Sequence, residues 1–99
     1  MERITTAQLE GIVKQVNLTQ GQPLEAWTKH SNGTYYSNVG NYHLDWAYSG
    51  VALCQMVNTA GGVRHITPGF STKRECYYQI RAYLEGIRDR VDMEVRRSA

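Results

Sequence analysis

Residues 72–87 read Thr-Lys-Arg-Glu-Cys-Tyr-Tyr-Gln-Ile-Arg-Ala-Tyr-Leu-Glu-Gly-Ile. Thr72 and Glu75 have the spacing of a capping box. In that motif the threonine hydroxyl accepts from the N–H three residues on, and the glutamate reaches back to the threonine N–H. Behind the cap, Cys76, Ile80, Tyr83, Leu84 and Ile87 recur at i, i+4, i+7, i+8 and i+11, which draws one apolar stripe along a helix. Such a stripe needs a surface to lie on. Tyr42, Leu44, Trp46 and Tyr48 alternate with His43, Asp45 and Ala47, the period of a half-buried strand whose first set faces the core or the helices. Val51 to Val57 is apolar on both faces except at Gln55, as a central strand would be. The predicted turn between these strands is Ser49-Gly50.

Toward the N-terminus, Thr5 to Asn17 is a second helix. Thr5 and Gln8 repeat the capping-box spacing, and Leu9, Ile12, Val13 and Val16 share one face. Gly21 and Pro23 break the following loop. Leu24 to Lys29 is a predicted strand. Ser31-Asn32-Gly33 is a hairpin signal, because Asn-Gly accepts positive φ angles, and Thr34-Tyr35-Tyr36 would pair back. Gly40-Asn41 marks a turn or bulge, and Val63 to Ile66 a short extra strand. After Ile87 the chain either extends the helix through Val91 and Val95 or frays.

The expected fold is α+β, a two-layer α-β-β-β-α arrangement. An antiparallel sheet of three to four strands carries two helices on one face. The expected core is Leu9, Val13, Val16, Leu44, Trp46, Leu53, Ile80, Leu84 and Ile87. Residues 1–99 form one domain, with 88–99 as a frayed extension or a last stretch of helix.

Hydrophobic residues are 41% and charged residues 20% of the chain, which excludes an intrinsically disordered class. Seven Tyr and two Trp stand against one Phe, so much of the apolar material carries a polar handle suited to sheet faces and interfaces. The net charge is +2, with eight basic and five acidic residues in 64–99 against three and four in 1–63. Dedicated nucleic-acid binders carry a stronger basic bias. Cys54 and Cys76 lie in no CxxC, with no histidine at zinc-ligand spacing. Both are expected to be reduced and buried, with a disulfide between them as the alternative. The start has no hydrophobic export segment, and no apolar run approaches a membrane span. The expected location is the cytoplasm.

Two resemblances rest on particular residues. Tyr42 to Gly50, read as Y-H-L-D-x-A-Y-x-G, Gly61-Gly62-Val63, and the helix pattern K-R-E-x-Y…I-x-A-x-L-x-G-I at Lys73 to Ile87 resemble a family of small uncharacterised proteins of bacteriophages, prophages and mobile elements. The similarity covers about half the chain and implies a mobile-element origin without an activity. The α-β-β-β-α order is similar to that of double-stranded-RNA-binding domains. Lys73 and Arg74 stand where those domains cluster lysines, but Glu75 and Cys76 follow, and the minor-groove G-P-x-H loop has no counterpart. A shared order of elements is a weak warrant for function.

His43 and Asp45 share one side of a strand, a spacing usable by a general base and its orienting carboxylate. No nucleophile is identifiable beside them, so no catalytic residues are assigned. His30, His43 and His65 lie on different elements, and no metal or cofactor is assigned. Gly61-Gly62 reads as a turn, since no phosphate-loop lysine follows. On the last helix Arg74, Tyr78, Arg81, Glu85 and Arg88 form the polar face. With Lys73, this face could track phosphates or grip an acidic partner. Pairing of Glu85 with Arg81 and Arg88 across a solvated face explains it more simply. Tyr35, Tyr36 and Tyr77 are expected on exposed sides, as a partner surface or a base-stacking platform. The expected function is a protein-interaction module for a host or phage protein, with self-association as one form of it. A nucleic-acid-binding accessory is the alternative, and no membrane role is expected.

Overall fold

The structure, a computed structural model, describes residues 3–98. The elements are α1 (Thr6–Gln20), β1 (Trp27–Lys29), β2 (Tyr35–Ser37), β3 (Tyr42–Ala47), β4 (Gly50–Met56), β5 (Val63–His65) and α2 (Lys73–Ser98). The class is α+β, as the residue patterns predict. The strands, however, form two antiparallel sheets, a β1-β2 hairpin and a three-stranded sheet ordered β3-β4-β5. No helix among the described residues is long and apolar enough to cross a membrane.

Both helix starts follow from their caps. Thr5 and Gln8 form the full reciprocal capping box. At α2 the Glu75 N–H donates to Thr72 Oγ1 at 3.1 Å. The first helix ends three residues beyond the expected Asn17. Gly21, at φ 67°, is the first residue to adopt the left-handed cap, and its N–H closes onto Asn17 and Leu18 carbonyls. The second helix does not stop at Ile87 but continues to Ser98. The side chains of Val91 and Val95, to which that extension was assigned, lie outside the described part.

Both helices pack on one face of the larger sheet. Leu9, Val13 and Val16 of α1 meet Cys76, Ile80, Leu84 and Ile87 of α2 over Tyr42, Val51 and Leu53, all buried. Trp46 is the exception in the expected core, at 48% exposed, and Leu44 is only half-buried. Both sit on β3, an edge strand that the helices cover at its Tyr42 end. Trp46 instead lies under the Lys73 ammonium, 5.9 Å from the ring centre.

The β3-β4 turn also differs from expectation. Ala47 pairs with Gly50, so the turn is Tyr48-Ser49, both residues left-handed at φ 52° and 57°. Two positive φ angles match the right-handed twist of a two-residue hairpin, but neither residue signals it in sequence. Gly50 is not left-handed. An added Cβ there would come within 3.0 Å of the Ser71 carbonyl and 3.1 Å of Phe70 Cβ, so the glycine admits a crossing chain.

The expected Leu24 strand start moves to Trp27, because Pro23, Glu25 and Ala26 carbonyls are taken by Asn41 Nδ2, Asn38 Nδ2 and the Asn38 N–H. The Ser31-Asn32-Gly33 hairpin forms as read, with Gly33 at φ 84° and Thr34 N–H donating to Asn32 Oδ1.

Candidate functional site

Side chains alternate across a pleated sheet, and directly paired residues share a face. The register pairs His43 with Cys54 and Cys54 with His65, while Asp45 pairs with Ala52. One row across β3, β4 and β5 therefore reads His43–Cys54–His65, on the face opposite the helices. Asp45 is the next same-face residue along β3. Ligand atoms of Asp45, Cys54 and His65 all lie within 4.8 Å of one another. His65 joins this close group, while His43 flanks Cys54 on the other side of the row and stays outside it. The third, His30, stacks edge-on against Tyr36 in the hairpin, 4.3 Å between ring centres.

Burial sets the chemistry of this row. Cys54 has no exposed surface. Burial, and then the Asp45 carboxylate, pushes its thiol above the ordinary range, so it is a poor thiolate nucleophile without a cation. Burial also holds His43 below the usual imidazole range, against the opposing pull of Asp45. No hydrogen bond joins His43 to Asp45, and His43 Nδ1 is buried without a partner. His65 is exposed at the sheet edge, its ring edge-on to Phe70 at 5.6 Å.

A second site lies along the outer edge of β3. Its first rung is closed by Asn17, buried at 2% exposure on α1. Asn17 Nδ2 donates to the Tyr42 carbonyl at 2.9 Å, and the Tyr42 N–H donates to Asn17 Oδ1 at 2.8 Å. The side-chain amide stands where a neighbouring strand would. Tyr42, Leu44 and Trp46 have the same outward parity, since Ala47, Asp45 and His43 make the hydrogen-bonded pairs with β4. The outward main-chain groups of Leu44 and Trp46 have no protein partner among the described residues. A groove of about 460 Å³ runs beside them, walled by α1 at Glu10, Val13 and Lys14 and by Leu24–Ala26. Leu24 and Trp46, 50% and 48% exposed, stand at its rim.

The polar face of α2 forms the expected ion pair between Arg81 and Glu85, at 3.5 Å. The second expected pair, Glu85 with Arg88, is not formed. Arg74 lies 6.0 Å from the Tyr78 ring centre. Arg81 and Arg88 face a cleft of about 500 Å³ between the helices, lined also by Tyr77, which is half-buried and not exposed as expected. Tyr35 and Tyr36 are exposed on the hairpin, with the Lys29 ammonium 5.9 Å from the Tyr35 ring. Arginines and hairpin tyrosines thus occupy separate elements.

Sequence reasoning missed Asn17, and it missed the juxtaposition of Cys54 and His65. Asn17, one residue beyond the apolar stripe of α1, gives no local sign of its partner on β3. The other two were named singly, as a buried thiol and as one of three scattered histidines, and their adjacency needs the β4-β5 register. No family model matches the chain, and no curated protein and no solved structure is significantly similar to it.

Proposed function

We propose that the chain is a protein-interaction module that takes an extended segment of its partner along the free edge of β3. The observation that supports this most is the unpaired Leu44–Trp46 edge beside an apolar-rimmed groove. Main-chain groups at such an edge give affinity to an added strand, and flanking pockets for alternate side chains give it specificity. Nothing in the groove asks for a polyanion, since Glu10 and Glu25 stand against the one cation Lys14 on its walls. On this reading the protein works in the cytoplasm as a small accessory of phage or mobile-element type, and the segment belongs to a host or phage protein.

The test starts from extended peptides selected on the protein from a random displayed library. Amide exchange read by NMR should then slow at Leu44 and Trp46 when a selected peptide is added. Trp46→Pro removes one outward N–H, at a position where an edge strand tolerates proline. It should weaken binding at least about tenfold more than Trp46→Ala, which keeps that N–H. Peptides that leave both amides unprotected, or that bind Trp46→Pro and Trp46→Ala alike, would sink the reading. Protection that instead grows with protein concentration alone would assign the edge to a second copy.

A further inference from the structure

We propose that Asp45, Cys54 and His65 hold one zinc ion on the helix-free face of the sheet, with solvent in the fourth position of a tetrahedral set. This site is distinct from the β3 edge and does not depend on it.

Three adjacent strands each supply a ligand type suited to zinc: carboxylate from β3, thiol from β4, imidazole from β5. Zinc binds thiolate at about 2.3 Å and imidazole or carboxylate at about 2.0–2.2 Å. Tetrahedral angles then put neighbouring ligand atoms roughly 3.4–3.6 Å apart. Three of the atoms already lie within 4.8 Å of one another, so side-chain rotations of about 1 Å close the set without moving the strands. Ala52, opposite Asp45, leaves room for the carboxylate to swing toward Cys54. His43 stands directly across from Cys54 but lies outside this close group.

The same donors are hard to explain otherwise. A buried thiol beside a carboxylate gains nothing from it unless a cation joins them. The neighbouring cation on β5, Arg64, is committed elsewhere, its Nε donating to Gln55 Oε1 at 2.8 Å on the helix side. A ligand set of one sulfur, one nitrogen and one oxygen is borderline-soft, which selects zinc over magnesium or calcium. With three protein ligands the site keeps one open position for solvent.

The experiment uses the whole chain, stripped with chelator and kept reduced. Cobalt(II) is added first as a spectroscopic stand-in. The expected result is one equivalent bound, with a thiolate-to-cobalt charge-transfer band and the intense visible bands of a four-coordinate ion, both bleached by one equivalent of zinc. Zinc should also raise the thermal midpoint in proportion to the logarithm of its free concentration. Cys54→Ser should abolish the charge-transfer band. Asp45→Asn and His65→Gln change exposed or partly exposed side chains, so they keep the fold, and each should weaken zinc at least about tenfold. His30→Gln should change nothing. The proposal is overturned by absence of the charge-transfer band at micromolar cobalt. It is equally overturned by binding that His30→Gln weakens as much as His65→Gln, which would mark loose surface histidines. Zinc affinity unchanged in Asp45→Asn and His65→Gln would also overturn it.

Discussion

The two faces of the β3-β4-β5 sheet are built from the same three strands and could hardly differ more. The helix-side face presents Tyr42, Leu44, Val51 and Leu53, which gain from bulk. The opposite face presents His43, Asp45, Ala52, Cys54 and His65, which are small or titratable, with Met56 and Val63 as its apolar end. Val51, Leu53, Ala52 and Cys54 alternate along β4 and are all fully buried, so burial alone does not distinguish the faces. What differs is the company each buried side chain keeps. One face excludes water with hydrocarbon. The other does so with groups that have donors and acceptors left over.

The comparison breaks first on core truncation. Ile80→Ala should cost about 2–5 kcal/mol, as a large-to-small change against packed neighbours. His65→Ala, measured free of metal, should cost less than about 0.5 kcal/mol. Urea midpoints that fall equally for both would mean that the two faces contribute alike.

Next is the seam between helix and strand. Asn17→Ala leaves the Tyr42 N–H and carbonyl unpaired in a buried setting and should cost about 2–4 kcal/mol. Rapid exchange of the Tyr42 amide in the variant would identify the lost clamp as the cause.

The third prediction uses the two thiols. Burial, reinforced by nearby Cys54, pushes the Cys76 thiol up to about 11. A raised folded value means that the stabilisation is complete below the ordinary value of 9.0 and is lost as pH rises through about 11. Stability should therefore drop by on the order of 1–3 kcal/mol across that window. Cys76→Ala should remove this component of the pH dependence while lowering stability throughout. A wild-type profile flat from pH 8.5 to 11 would place Cys76 outside the core.

The turn joining the two faces offers a gain. Replacing Tyr48-Ser49 by Asn-Gly suits both left-handed positions and should stabilise by about 1 kcal/mol. A loss would show that Tyr48, packed edge-on to Phe70 at 5.5 Å, contributes more than its backbone costs.

The smallest effect lies outside both faces. Arg81→Ala should change stability by less than about 0.5 kcal/mol, because its pair with Glu85 is solvated. Nucleic-acid probes should show no retardation near 100 mM salt. Binding with a log–log salt slope of about −2 to −3, reduced by about one in Arg81→Ala, would promote the nucleic-acid reading.

How much of this was legible in the sequence depends on distance along the chain. The helix stripes, their threonine caps and the Asn-Gly hairpin are signalled within a few residues, and they formed where read. The helix-free cluster needed the register. Reading Ser49-Gly50 as the turn pairs Tyr48 with Val51, which would set His43 opposite Met56. With the turn at Tyr48-Ser49, His43 meets Cys54. The misplaced turn thus shifts the register by two residues, which keeps the faces but sets Asp45 rather than His43 opposite Cys54. Trp46 was misread for a different reason. Alternation names a face, but how far a helix reaches along an edge strand is decided only by packing.

The asparagine clamp at Tyr42 is also a stop. By filling one rung it leaves an incoming strand only the main-chain groups of Leu44 and Trp46 before the chain turns at Tyr48. Four such hydrogen bonds, at roughly 0.5–1.5 kcal/mol each, make a brief grip, and the blocked rung fixes where that grip begins. On the proposed reading, an edge of this kind would take a short motif in one register and let it go. It suits a partner that must be released, or one that gains its strength by presenting the motif several times.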